Sequence, residues 1–414
     1  MNPSIPGPDP SLPGPKASDP GPGPDREPKG RRFGWNRPRD ASDLPTRAGR
    51  RRFRWVGRLA AILVLVVPVL LLGRLLFFEG PFLPVTPLPE VPLVDLHCHA
   101  AGIGAGDSGC YVSPRMRSNF RFRIYLEAFG VTESQLREHG DMALLEKLSR
   151  DIASSRRVGS AVVLALDGVV DDQGNLDRER TDVYVPNAFV AEGARRFGNL
   201  LFGASIHPRR PDALARLDEA VAQGAVLVKW IPSVMDIDPA DPRYIPFYRR
   251  LAEYRLPLLS HTGPEKSFTS AADALADPHR LRLALDHGVR VIAAHTSPGR
   301  SADEGSNLAT LRRMMTEYPQ LYADISALSL VNRIADLRAT LAAPECRGRL
   351  VYGSDYPLIN TALVSPWYYP LNLTEARRRE IASIPNPWDR DVELKQALGV
   401  PPEVFTAGRA LLVR

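Results

Sequence analysis

Short apolar runs alternate with longer charged stretches through residues 92–414. Eight runs rich in leucine and β-branched residues read as strands, at 93–99, 160–167, 200–207, 225–231, 257–261, 289–295, 321–326 and 349–355. Intervening charged stretches, among them 212–223, 244–254, 278–287 and 308–318, read as helices. Strand–helix alternation of this kind is the signature of a parallel sheet, and eight units predict a closed (β/α)₈ TIM barrel of the α/β class.

The segment before residue 92 has another character. Ten prolines fall in the first 30 residues, and large apolar residues are nearly absent to about residue 45. Such a tail cannot bury enough surface to offset its conformational entropy, so 1–58 is expected to be a disordered Pro/Arg-rich arm. Residues 59–78, LAAILVLVVPVLLLGRLLFF, then carry a single charge, Arg74. As a helix they would be about 30 Å long, which predicts one transmembrane helix. Ten arginines lie between Arg31 and Arg58, whereas Glu79 and Glu90 are the first charges after the run apart from Arg74. Positive residues stay inside, so the expectation is a single-pass protein of the inner or plasma membrane. Its tail would be cytoplasmic, its barrel extracytoplasmic, and the lipid bilayer a partner. Residues 79–91 read as a Pro-rich linker.

Charge adds one exclusion. Residues 1–58 hold 13 Lys/Arg against 6 Asp/Glu, a net of +7, so the rest of the +6 chain is near neutral at −1. A barrel without basic excess is not expected to bind nucleic acid. Cys98, Cys110 and Cys346 show no CxxC spacing, so no disulfide framework is implied and buried thiols are expected.

Titratable residues recur where the apolar runs end. The first run closes in His97-Cys98-His99, and residues two apart on a strand face the same side, so both imidazoles are directed at one point. Lys229 ends the fourth run, His261 the fifth, His295 the sixth and Asp355 the eighth. All lie at the C-terminal face, where barrel enzymes build their sites. Together these residues make a metal site the reading for that face.

On these motifs the chain resembles the amidohydrolase superfamily, and more closely its amidohydrolase-related branch, which includes decarboxylases. The likeness covers nearly all of 90–414 and extends to Asn386-Pro387-Trp388-Asp389-Arg390 and to the Glu403-Val404-Phe405 segment. The resemblance implies that His97 and His99 bind a divalent metal, zinc being the first expectation, with Asp355 and either His261 or Lys229 completing the shell. It allows one ion with Lys229 free, or two ions bridged by carbamylated Lys229 with His261 and His295 on the second. Asp355 would act as the acid/base beside metal-activated water, and His295 would polarise the substrate carbonyl. His207 and Arg209, after the third run, are candidates for contact with a small-molecule substrate, and Arg210 and Asp324 are weighed alongside them. Segments 102–130 and 358–371 would overhang the pocket. The expected function is a membrane-anchored hydrolase of amide, lactone or ester-like bonds. The alternatives are a non-oxidative decarboxylase and a non-catalytic barrel scaffold. A homodimer is expected by analogy with the fold.

Overall fold

The computed structural model describes residues 55, 57–69, 72, 86–296 and 306–412. Two compact units, Met1–Val67 and Pro68–Arg414, are taken separately. In the N-terminal stretch the described residues 55, 57–69 and 72 are helical. Among the described residues no helix is long and apolar enough to cross a membrane. This overturns the single-pass localisation, the extracytoplasmic barrel and the bilayer as a partner. The rest of the expected tail, residues 70, 71 and 73–78 of the expected span, and 79–85 of the linker lie outside the described residues. The homodimer expected by analogy finds no support in the single chain.

The strands are β1 (Leu93–His99), β2 (Tyr111–Val112), β3 (Val158–Leu164), β4 (Val183–Tyr184), β5 (Leu200–Ala204), β6 (Leu227–Trp230), β7 (Leu258–His261), β8 (Val291–Ala294), β9 (Leu321–Asp324) and β10 (Leu350–Val351). Eight pair in parallel in the order β1-β3-β5-β6-β7-β8-β9-β10, while β2 and β4 form a separate antiparallel ribbon. The ring closes between β1 and the chain leaving β10. There Leu96 N donates to Tyr352 O (3.3 Å), Asp355 N to His97 O (2.8 Å) and His99 N to Tyr356 O (2.9 Å). The eight-stranded α/β barrel expected from the alternation is thus the fold. Helices fill the expected intervals as Ala213–Ala222, Ile245–Glu253 and Asn307–Glu317, and 278–287 divides into a 3₁₀ turn and the short helix Arg282–Asp286.

Alternation along each strand sorts the side chains into two clusters. Val94, Leu96, Val162, Leu164, Leu227, Leu259, Ile292, Ala294 and Val351 pack together, with Leu411 of the C-terminal helix added to them. Cys98, Val163, Phe202, Val228 and Trp230 join the larger cluster built with the helices. The ladder of β1 is irregular between Asp95 and Cys98. Such a shift re-aims side chains, and here it separates the apolar base of the strand from its histidine-bearing tip. Each of the three cysteines is buried and free.

Candidate functional site

The strand tips differ from the expected strands in a consistent way. Runs six and eight were expected to reach His295 and Asp355, but the ladders stop short and both residues adopt left-handed backbone, with φ 59° and 62°. A non-glycine residue in that region costs roughly 1–2 kcal/mol, and the turn it makes carries each side chain over the barrel mouth. Gly353 permits the close approach next to it, since a Cβ there would stand 2.8 Å from His97 Cβ and 3.2 Å from Ser326 Cβ.

Three ligand-type atoms meet at one point. His97 Nε2 lies 3.2 Å from His99 Nε2 and 3.5 Å from Asp355 Oδ1, and His99 Nε2 lies 3.2 Å from the same Oδ1. His295 stacks on His97 with centroids 5.1 Å apart, and His97, His295 and Asp355 can present ligand atoms within 4.8 Å of one another. Lys229 Nζ is 2.9 Å from His97 Nε2. His261 is brought alongside, its ring 5.0 Å from that of His295, while its Nδ1 faces Glu265 Oε2 at 3.5 Å and its Nε2 the Gly263 carbonyl at 3.2 Å.

Hydrogen bonds fix the tautomers. His97 Nδ1 can only donate to the Asp324 carboxylate oxygen at 2.8 Å. The Ser326 hydroxyl donates to Asp324 Oδ1, so its oxygen accepts from His295 Nδ1 at 2.8 Å. Both rings therefore carry the proton on Nδ1 and leave Nε2 as a lone pair. Burial, reinforced by the Lys229 charge, lowers His97 to about 4, and burial holds His295 well below the ordinary histidine value. Burial alone would raise Asp355 and Asp324, but the surrounding imidazoles hold both carboxyls down, His295 first for Asp355 and His97 first for Asp324. Burial brings Lys229 down to about 8. Neutral imidazole lone pairs and a carboxylate directed at one point form a donor set for a divalent cation.

The cluster floors a cavity of about 140 Å³. The expected overhanging segments supply much of its wall: Ile103, Met116, Phe122, Leu126 and Phe129 from one, Leu358 from the other. Buried Asp141 braces the first of these, accepting from the backbone N–H groups of Ile103, Gly104 and Ala105 and from the Ser108 hydroxyl.

Two substrate candidates are placed elsewhere. Buried His207 exchanges both ring nitrogens with backbone, donating from Nε2 to Met235 O (2.9 Å) and accepting at Nδ1 from Arg209 N (3.1 Å). The Arg209 guanidinium turns to Asp236 (3.3 Å), and Arg210 pairs with Asp167 through two bonds of 2.8 and 2.7 Å. None of the three is among the residues around the cavity. Sequence reasoning missed Glu265, Ser326 and Asp95. Glu265 stands four residues beyond His261 and Ser326 two beyond Asp324, a spacing that offered the only signal.

A parallel eight-stranded barrel with histidines and an aspartate gathered at its C-terminal mouth is the architecture of metal-dependent barrel enzymes. The family model described as amidohydrolase matches residues 94–383, most of the chain, and the protein belongs to that family. No curated protein matches the chain. Among solved structures, it is similar to an uncharacterised TIM-barrel protein from Bordetella bronchiseptica (18% identity, 74% of this chain and 99% of that one, TM-score 0.45). It is also similar to a probable 2-pyrone-4,6-dicarboxylic acid hydrolase from Acinetobacter baumannii (13%, 76% and 99%, 0.40). A third likeness is to a manganese-bound 5-carboxyvanillate decarboxylase from Novosphingobium aromaticivorans (11%, 76% and 94%, 0.41). They stand as likenesses only.

Proposed function

We propose that this chain is a hydrolase that holds one divalent cation between His97 Nε2, His99 Nε2 and Asp355 Oδ1. The observation that carries the reading is the triangle of these atoms, with sides of 3.2, 3.2 and 3.5 Å. Bonds of about 2.1 Å in tetrahedral geometry put neighbouring ligand atoms about 3.4 Å apart, so the residues fit the ion. Nothing in the donor set selects zinc over manganese. His295 flanks the triangle with its Nε2 lone pair free of the Ser326 contact. We place Lys229 and His261 beside the ion rather than on it. Lys229 is a buried ammonium 2.9 Å from His97 Nε2, whose one lone pair the ion would take, and the His261 nitrogens are turned to Glu265 and Gly263. This favours the one-ion arrangement with a free lysine over a carbamylated bridge.

When bound, such a cation lowers the pKa of coordinated water towards about 7 and polarises a carbonyl. The chain supplies the rest. Asp355, ionised across the physiological range, accepts the proton of the attacking water and returns it to the leaving group. His295, held in one tautomer by Ser326, presents Nε2 as a second acid/base. Lys229 donates towards developing negative charge at the floor of the cavity. Beyond the ion itself a substrate carboxylate would find Lys229 as the one lysine or arginine among the described lining residues, whereas a neutral carbonyl needs no further cation. Hydrolysis is therefore the better supported reaction, and the complete donor set argues against a scaffold.

The test is product analysis with the full chain on neutral amides, esters and lactones against aromatic carboxylic acids, with metal content measured in parallel. Hydrolysed pairs with about one metal per chain support the proposal. Carbon dioxide as the product, or activity indifferent to metal, would sink it.

A further inference from the structure

Above its polar floor the cavity is apolar. Ile103, Val112, Met116, Leu126, Phe129 and Leu136 face it, each less than a tenth exposed and each from the segment between β1 and β3. The polar lining is confined to the metal-side cluster and to Tyr125, Glu265 and Ser267. The apolar wall offers no partner to a charged group. Burying an unpaired carboxylate against such a wall is strongly unfavourable.

Resting on the reading of the site as a metal-dependent hydrolase, we infer that the group joined to the scissile bond is uncharged and apolar, a single ring or a branched chain of similar size. The volume sets the size: a cavity of about 150 Å³ lined by leucine, isoleucine and phenylalanine accepts benzene, and this one is about 140 Å³. The substrate class is thus a neutral aryl or branched acyl derivative, with its carbonyl at the His97–His99–Asp355 triangle and its apolar group under helix Phe120–Phe129. One observation offers a competing choice. Arg333 lies close enough to bias His261 and His295 electrostatically, and its buried Nη1 has no hydrogen-bond partner. It is not among the lining residues, so it serves an anionic substrate only if the cavity opens towards it.

Hydroxamates separate these cases, because the hydroxamate grips the metal while the attached group probes the wall. Calorimetry on the metal-loaded full chain would compare acetohydroxamate, benzohydroxamate and 4-carboxybenzohydroxamate. Burial of the ring predicts benzohydroxamate tighter than acetohydroxamate by about 10- to 30-fold, with the carboxylated ring weaker than the plain one. Met116→Trp, which fills the wall, should bring the benzo/aceto ratio close to one, and that ratio does not move with the folded fraction. Equal binding of acetohydroxamate and benzohydroxamate, or tightest binding by the carboxylated ring, overturns the inference while leaving the metal site standing. Failure of all three to bind overturns the metal reading and the inference with it.

Discussion

Trp388 Nε1 donates to Asp95 Oδ2 at 2.8 Å, tying the helix that follows the barrel to the strand that carries His97 and His99. Asp95 is fully buried, and its carboxylate also accepts from His97 N (3.0 Å), Ser354 N (2.8 Å) and Ser354 Oγ (2.5 Å). One side chain thus holds the residue before Asp355 and the backbone of His97 in fixed relation. Burial raises this carboxyl to about 6 against the pull of those four donors, so it depends on all of them.

Trp388→Phe keeps the stack on Tyr356, whose ring centroid lies 4.5 Å away, and removes only the N–H. Leaving a buried carboxylate short of a donor costs about 1–3 kcal/mol. The expected result is a melting temperature lowered by several degrees and metal affinity weakened about 10-fold, since a support of the ligands is lost rather than a ligand. Chelator competition measures the affinity. An unchanged affinity with a lowered melting point would reduce Trp388 to a packing residue.

The separation of support from ligand also explains what the sequence disclosed. His97, His99, Lys229, His261, His295 and Asp355 were legible as candidates because titratable residues recur at the ends of the first, fourth, fifth, sixth and eighth apolar runs. The barrel was legible for the same reason, through its repeated alternation. Asp95, Ser326 and Glu265 were not, since a lone carboxylate or hydroxyl has no period and acts only through partners far along the chain, as Asp95 does with Trp388. His207 and Arg209 sit at a strand end like the others, yet a backbone carbonyl and Asp236 take them up before they reach the cavity. The apolar run at 59–78 had the composition of a span, but among the described residues no helix is long and apolar enough to cross a membrane.

Gly353→Ala tests the close approach behind the site. The new Cβ would press on His97 Cβ at 2.8 Å, on Ser326 Cβ at 3.2 Å and on Asp324 Cγ at 3.6 Å. Overpacking of this kind costs about 1–3 kcal/mol. Here it displaces His97, a proposed ligand, and its carboxylate partner together, so metal affinity should fall at least about 10-fold while secondary structure is retained. Circular dichroism with elemental analysis reads both, and metal occupancy equal to wild type would show that the His97–Asp324 pair tolerates the shift.

Metal removal should lower the stability of the folded chain. A ligand that binds only the folded state stabilises it by about 2.7 kcal/mol at 100 times its dissociation constant. Chelation is therefore expected to lower the melting temperature of the wild-type chain by several degrees. His97→Ala and Asp355→Asn, which delete corners of the triangle, should bind less than a tenth of the wild-type metal and be insensitive to chelator. Scanning calorimetry with and without chelator decides this. A chelator response preserved in both variants would move the ion elsewhere in the protein.

His207 yields a pH dependence that is independent of the metal centre. Its ring accepts from Arg209 N and donates to Met235 O, so it must be neutral to satisfy both, and burial accordingly lowers its pKa from 6.5 to about 4. In the unfolded chain the same ring takes up a proton below about 6.5. Between these values the unfolded state binds more protons, so stability rises with pH across the window. The contribution is fully present above pH 6.5 and lost progressively as pH falls to about 4, amounting to about 3 kcal/mol at most. The buried histidines of the metal cluster respond in the same direction, so the wild-type curve alone does not isolate the effect. Urea unfolding of wild type and His207→Gln at pH 7, 5.5 and 4 does, because the variant lacks only this ring. The expected outcome is a variant less stable at pH 7 whose deficit narrows or disappears by pH 4. A deficit constant across the three values would mean that His207 is held for its shape and not for its neutral form.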